Sequence, residues 1–204
     1  MVIQSGAANQ GGAPSNKGDN MIDIDTEFLR EEVNTEIATR KGLYNPEDRD
    51  TNVRIVEDIR KTIDDLADGI EPSAKHIAEV AVATNRNVAI RDFLIGVRLE
   101  KDMDYVGQYL QALGNVIKKD MCVPIAAVFA TYLYEKEEFD YAKGMITEIL
   151  TIDPNYSLAK LLKEAFEKNI PSSFARGMAE AVHEKVIDEI YELDKQEIAN
   201  DNSN

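Results

Sequence analysis

The chain has no tryptophan, one cysteine and two histidines in 204 residues. With Cys122 alone, no disulfide can form within the chain, and a reducing, cytoplasmic setting is expected. His76 and His183 stand far apart, and neither falls in an HExxH pair or a Cys/His cluster, so no metal is expected. The phosphate-cradling patterns GxGxxG and GxxxxGK[ST] are absent, and so is a GxSxG elbow. Asp102-Met103-Asp104 lacks the glycine and closing glutamate of a calcium loop. No catalytic residue and no cofactor site is therefore assigned. Six prolines are few for a turn-rich β protein. The N-terminus has no basic start followed by an apolar run, so no secretory signal is expected. The apolar stretch Cys122–Ala130 is too short to span a bilayer.

Basic charge is also scarce. Lys and Arg number 23 against 38 Asp and Glu, a net charge of −15. Such a surface repels nucleic-acid phosphates and anionic lipids, so direct binding to nucleic acid or membrane is not expected. It either attracts basic protein segments or serves solubility alone.

What is present reads as helix. Residues 1–22 are rich in Gly, Asn and Ser and bury too little to order themselves, which predicts a disordered tail. Residues 23–199 are expected to form a single helical domain, with 200–204 frayed. Asp25 can cap a helix carrying Phe28, Leu29, Val33 and Ile37 inward. Pro46, in Asn45-Pro46-Glu47-Asp48, is expected at the first helical position ahead of Val56, Ile59, Ile63 and Leu66. Pro72 is expected to open a helix with Ile77, Val80, Ala81 and Thr84 inside. Asn87 and Asp102 read as caps of two more, and Pro124 as the start of another. No segment sustains the alternation of a strand. The predicted class is all-α: stacked antiparallel helix pairs joined by short connections.

Residues 123–156 resemble a tetratricopeptide repeat, a helix–turn–helix with small residues at its crossing. Ala126, Phe129, Ala130 and Leu133 fall on the first helix, and Glu137-Glu138-Phe139 on the turn. Ala142 stands at the crossing, and Asp153-Pro154-Asn155 ends the second helix. Glu137 stands where the repeat has a turn glycine. The segment is either such a repeat or an ordinary helical hairpin. A following helix, read as capped by Ser157, completes a unit over 123–168.

A second likeness covers Pro72 to about Phe174. Asn87-Val88-Ala89-Ile90-Arg91-Asp92 and Asp153-Pro154-Asn155-Tyr156-Ser157-Leu158-Ala159-Lys160-Leu161-Leu162 resemble the helical C-terminal part of an actinobacterial family called domain of unknown function 4192. The family's tryptophan in the middle helix is replaced by Tyr132 and Tyr134, and its strand-like N-terminal segments are missing. The resemblance implies a helical fold and an actinobacterial or phage source. It implies no activity.

The terminal helix, expected over 173–198, carries the candidate partner site. Glu180, Glu184, Asp188 and Glu192 recur every four residues, an unfavourable spacing of like charges. Val182, Val186, Ile190 and Leu193 form an apolar face, and Ile187, Tyr191 and Ile198 a second apolar group beside the acids. The second group is either a partner surface or a broader contact with the body. These features predict a non-enzymatic interaction module that binds a protein partner or itself. An acidic decoy imitating nucleic acid is the alternative, and an enzyme with a carboxylate site a third.

Overall fold

The computed structural model describes residues 26–191, where spacings of three and four between apolar residues become nine α-helices and no strand among the described residues. They are α1 (Thr26–Arg40), α2 (Arg49–Ala67), α3 (Ala74–Arg86) and α4 (Val88–Gly96), which runs into a 3-10 turn (Val97–Leu99). Then follow α5 (Met103–Val116), α6 (Lys119–Glu135), α7 (Phe139–Ile152), α8 (Ser157–Glu167) and α9 (Ser173–Tyr191). The all-α class is as the sequence predicts. The expected tails, the Asp25 cap, and Glu192, Leu193 and Ile198 lie outside the described residues.

Two caps are where the sequence puts them. The Asn87 side chain accepts from Ala89 N at 2.8 Å, and Asp102 from Asp104 N at 2.9 Å. Four helix starts differ. Pro46 lies in a turn, and α2 begins only after Asp48, which accepts from Thr51 N at 3.3 Å. Ser73, not Pro72, caps α3 by accepting from His76 N at 3.2 Å. In both cases a side-chain acceptor satisfies an N–H that the helix itself leaves orphaned, which proline cannot do. Pro124 sits inside α6, close enough to its start that only one internal hydrogen bond is lost. Ser157 is the first helical residue of α8, with Tyr156 at the cap position and no side-chain bond there.

The core is organised on α6 and α3, which carry long runs of buried residues. In α3 every residue from Val80 to Thr84 is buried; in α6 Val123, Ile125, Ala127, Val128, Ala130, Tyr132 and Tyr134 are. A helix apolar on most sides has to be surrounded, and α6 packs against α3, α4, α5, α7, α8 and α9. α1 lies on α3 through Val33 and Ile37, while Phe28, expected inward, is 67% exposed. α6 and α7 form a hairpin with Ala142 fully buried between them. Its turn residue Glu137 adopts φ 63°, the left-handed conformation that favours glycine. Tyr134, Phe139 and Phe166 meet edge to face, at 4.6–5.8 Å between ring centroids, and lock α8 onto the hairpin.

One ion pair is buried in this core. Arg98 Nε lies 2.8 Å from Glu135 Oε2, and Arg98 Nη2 donates to the carbonyl of Ala175 at 2.6 Å. Burial pushes the Arg98 guanidinium below its ordinary value, and Glu135 pulls it back. The pair joins the turn after α4, the end of α6 and the start of α9.

Candidate functional site

α7 carries two apolar stripes. Ala142, Ile146 and Ile149 are buried, while Met145 and Ile152, one position round the helix, are only partly covered or exposed. α5 and α6 cannot close over this second stripe, because small residues, Gly114 and Ala126, stand opposite. A Cβ built on Gly114 would meet nothing within 4 Å. The result is a cleft of about 210 Å³ between α5, α6 and α7. Leu110, Ile117, Cys122, Phe129, Met145 and Ile152 line it, Asn115 and Gln111 stand at its edge, and Glu148 is the one charged residue of its lining. Burial pushes the Cys122 thiol up to about 11, so it is a poor nucleophile at neutral pH. A cavity of about 150 Å³ takes a benzene ring, so this cleft has room for one or two apolar side chains. Its chemistry is burial of apolar surface.

A second cluster lies between α2, the turn after α4, and α9. Arg60 holds Glu100 with two nitrogens, 2.5 and 2.7 Å from its oxygens, and donates to Tyr191 Oη at 2.6 Å. His183 Nε2 is 2.7 Å from the same Glu100 carboxylate. Tyr191 Oη also donates to Glu57, and Arg49 donates to the Tyr191 carbonyl at 3.2 Å. Burial opposes the charge on Glu100, yet the hydrogen bond from Arg60 holds it below the usual carboxylate range. Burial and the bond to Glu57 push Tyr191 up to about 12. Both oxygens of Glu100 are engaged, so the cluster clamps α9 onto the body.

This clamp decides where the candidate partner residues of α9 lie. Ile187 and Tyr191 pack against the core beside buried Val186 and Ile190, so the second apolar group widens the contact with the body. Glu180, Glu184 and Asp188 are exposed on the outer side, with Glu180 paired to Arg176 at 3.2 Å. Glu192 and Ile198 lie outside the described residues. Arg91 and Asp92 pair with each other at 2.6 Å, half-buried beside Tyr156. Sequence reading missed the cleft; the signal was the run Met145, Ile149, Ile152 beside the hairpin face of α7. No group of three or more His, Cys, Asp or Glu placed to hold a metal occurs among the described residues.

Fold and cleft together define an all-helical domain with an apolar surface cleft, and no described helix is long and apolar enough to cross a membrane. The chain belongs to the family described as domain of unknown function (DUF4192), which matches residues 13–173. The match begins at residue 13, well before the Pro72 at which the sequence resemblance starts, and α9 lies almost wholly beyond it. No curated protein and no solved structure matches the chain.

Proposed function

We propose that this chain is a non-enzymatic interaction module that takes an apolar segment of a protein partner into the α5–α6–α7 cleft. The observation that carries this reading is the cleft itself: open, lined mostly by apolar residues, and placed beside a hairpin whose core face is already full. The net charge of −15 favours a partner with basic residues flanking its apolar anchor. A second reading, the acidic decoy, draws on the exposed row Glu180, Glu184 and Asp188. These residues recur about every 6 Å along α9.

Two full-length variants separate the readings. Gly114→Leu fills the cleft from a position with free space around it. Glu184→Lys with Asp188→Lys reverses the acidic row. In affinity capture from host lysate, Gly114→Leu should lose the partner at least tenfold while the charge-reversed chain keeps it. The opposite pattern, with nucleic-acid-binding proteins lost, supports the decoy. Equal capture by both variants and the wild type sinks both readings.

A further inference from the structure

We propose that α9 is a releasable strap: it occupies a helix-binding groove of its own chain, between α2, α4 and α6, and yields that groove to a partner helix of the same pattern. The family match ends at residue 173, where α9 begins, so the helix is an addition to the matched body. It lies mainly along α4, with lesser contacts to α6 and α2.

The groove is held in shape by residues of the body alone. At one end Arg60 is fixed by Glu57 at 2.9 Å and by both oxygens of Glu100, and its guanidinium lies 5.0 Å from the centre of the Phe93 ring. To this set α9 adds only Tyr191, whose hydroxyl accepts from Arg60, and His183, which meets Glu100. At the other end Arg98 is fixed by Glu135 and, at 3.3 Å, by Thr131, which leaves Nη2 to donate to the Ala175 carbonyl. Guanidinium groups already held in place need no further ordering to bind. From Ala175 to Tyr191 the helix rises about 24 Å. Two fixed cations at that separation select a helix with an acceptor at each end.

The hold of α9 itself is modest. Its buried side chains are Ala175, Ala179, Val186 and Ile190. The two alanines allow close approach to α4 but bury little apolar surface. The connection before α9 is pinned to the α6–α7 hairpin, since Tyr134 donates to the Ile170 carbonyl and Ser172 to Glu137 at 2.9 Å. The strap therefore opens about Ser173 while α8 stays in place. The partner is an amphipathic helix with small residues four apart in its first turns. A first-turn carbonyl meets Arg98, and a phenol or carboxylate some four turns later meets Arg60.

Hydrogen exchange read by mass spectrometry on the full-length chain tests the opening. In the wild type α9 should exchange at least tenfold faster than α3 and α6. Tyr191→Phe, which takes the phenol from Arg60 and Glu57, should speed α9 at least tenfold further and leave α3 and α6 unchanged. If α9 exchanges together with α3 and α6, or if Tyr191→Phe does not speed it, the proposal is wrong. The groove is tested with a fluorescent peptide of the sequence 173–191. It should bind the full-length Tyr191→Phe chain at least tenfold more tightly than the wild type. The same peptide with Ala175→Leu and Ala179→Leu should not bind, because leucine is too large to lie against α4. No binding, equal binding to both chains, or equal binding of the leucine peptide overturns the groove. So does loss of binding when Gly114→Leu is added to the Tyr191→Phe chain, since that seats the peptide in the α5–α6–α7 cleft. The strap and the cleft reading stand or fall separately.

Discussion

His76 is the residue through which pH reaches the core. Its Nε2 lies 2.7 Å from the hydroxyl of Tyr109, a residue buried completely between helices. Burial pushes its pKa below the ordinary histidine value, more than Asp58 and Glu79 raise it, and Arg54 adds to the lowering. A histidine depressed in the folded state stays neutral there while the unfolded chain takes up a proton near its ordinary value of about 6.5. The stability it contributes is complete above that value and is lost as pH falls toward the folded pKa. Urea melts at about pH 7.5 and about pH 5.5 should therefore show wild type losing stability on acidification, and His76→Gln losing less. Equal losses would mean that His76 is not held neutral. In the sequence His76 shows only that it stands outside any metal-ligand spacing. Its partner Tyr109 comes from α5, and no spacing in the sequence connects the two.

At the scale of elements, the contact between α4 and α9 is the most demanding. A Cβ on Gly96 would come within 2.2 Å of His183 Nδ1 and 2.7 Å of His183 Cβ. These atoms lie near the α9 backbone and cannot swing away. Alanine is the better helix former by about 1 kcal/mol, so an exposed glycine replaced by alanine gains stability. Gly177 on α9, with nothing within 4 Å of its Cβ position, is such a site. Gly96→Ala should instead lose about 1–3 kcal/mol by forcing the helices apart, while Gly177→Ala gains up to about 1 kcal/mol. Thermal melts decide it: if both substitutions raise the midpoint, α4 and α9 do not approach this closely. The helices themselves were legible, since caps such as Asn87 and Asp102 and stripes such as Val56, Ile59 and Ile63 are local. The fate of α9 was not. Ile187 and Tyr191 read either as a partner surface or as a broader contact with the body until Arg60, Glu57 and Arg49, more than a hundred residues earlier, meet Tyr191. The cleft escaped for the same reason. Met145 and Ile152 become its wall only because Gly114 and Ala126, on two other helices, fall short of filling the space.

For the molecule as a whole, charge makes the plainest prediction. With a net charge of −15, the full chain should pass unretained through a DNA column at about 0.15 M salt. Salt-sensitive retention would reveal a basic surface strong enough to overcome the total. That prediction needs only composition, because long-range repulsion depends on the sum of charges more than on their arrangement. Fold class belongs with it: apolar periodicity, scarce prolines and absent strand alternation are properties of neighbouring residues, and they determined an all-helical protein before any packing was known. The tertiary structure alone decided which apolar surface stays open. Burial is settled by what distant helices bring to the same place, so α9 lies clamped by a charge cluster from α2 and the turn after α4, while the cleft between α5, α6 and α7 stays open. A stripe on one helix carries no record of how large its opposite neighbours are.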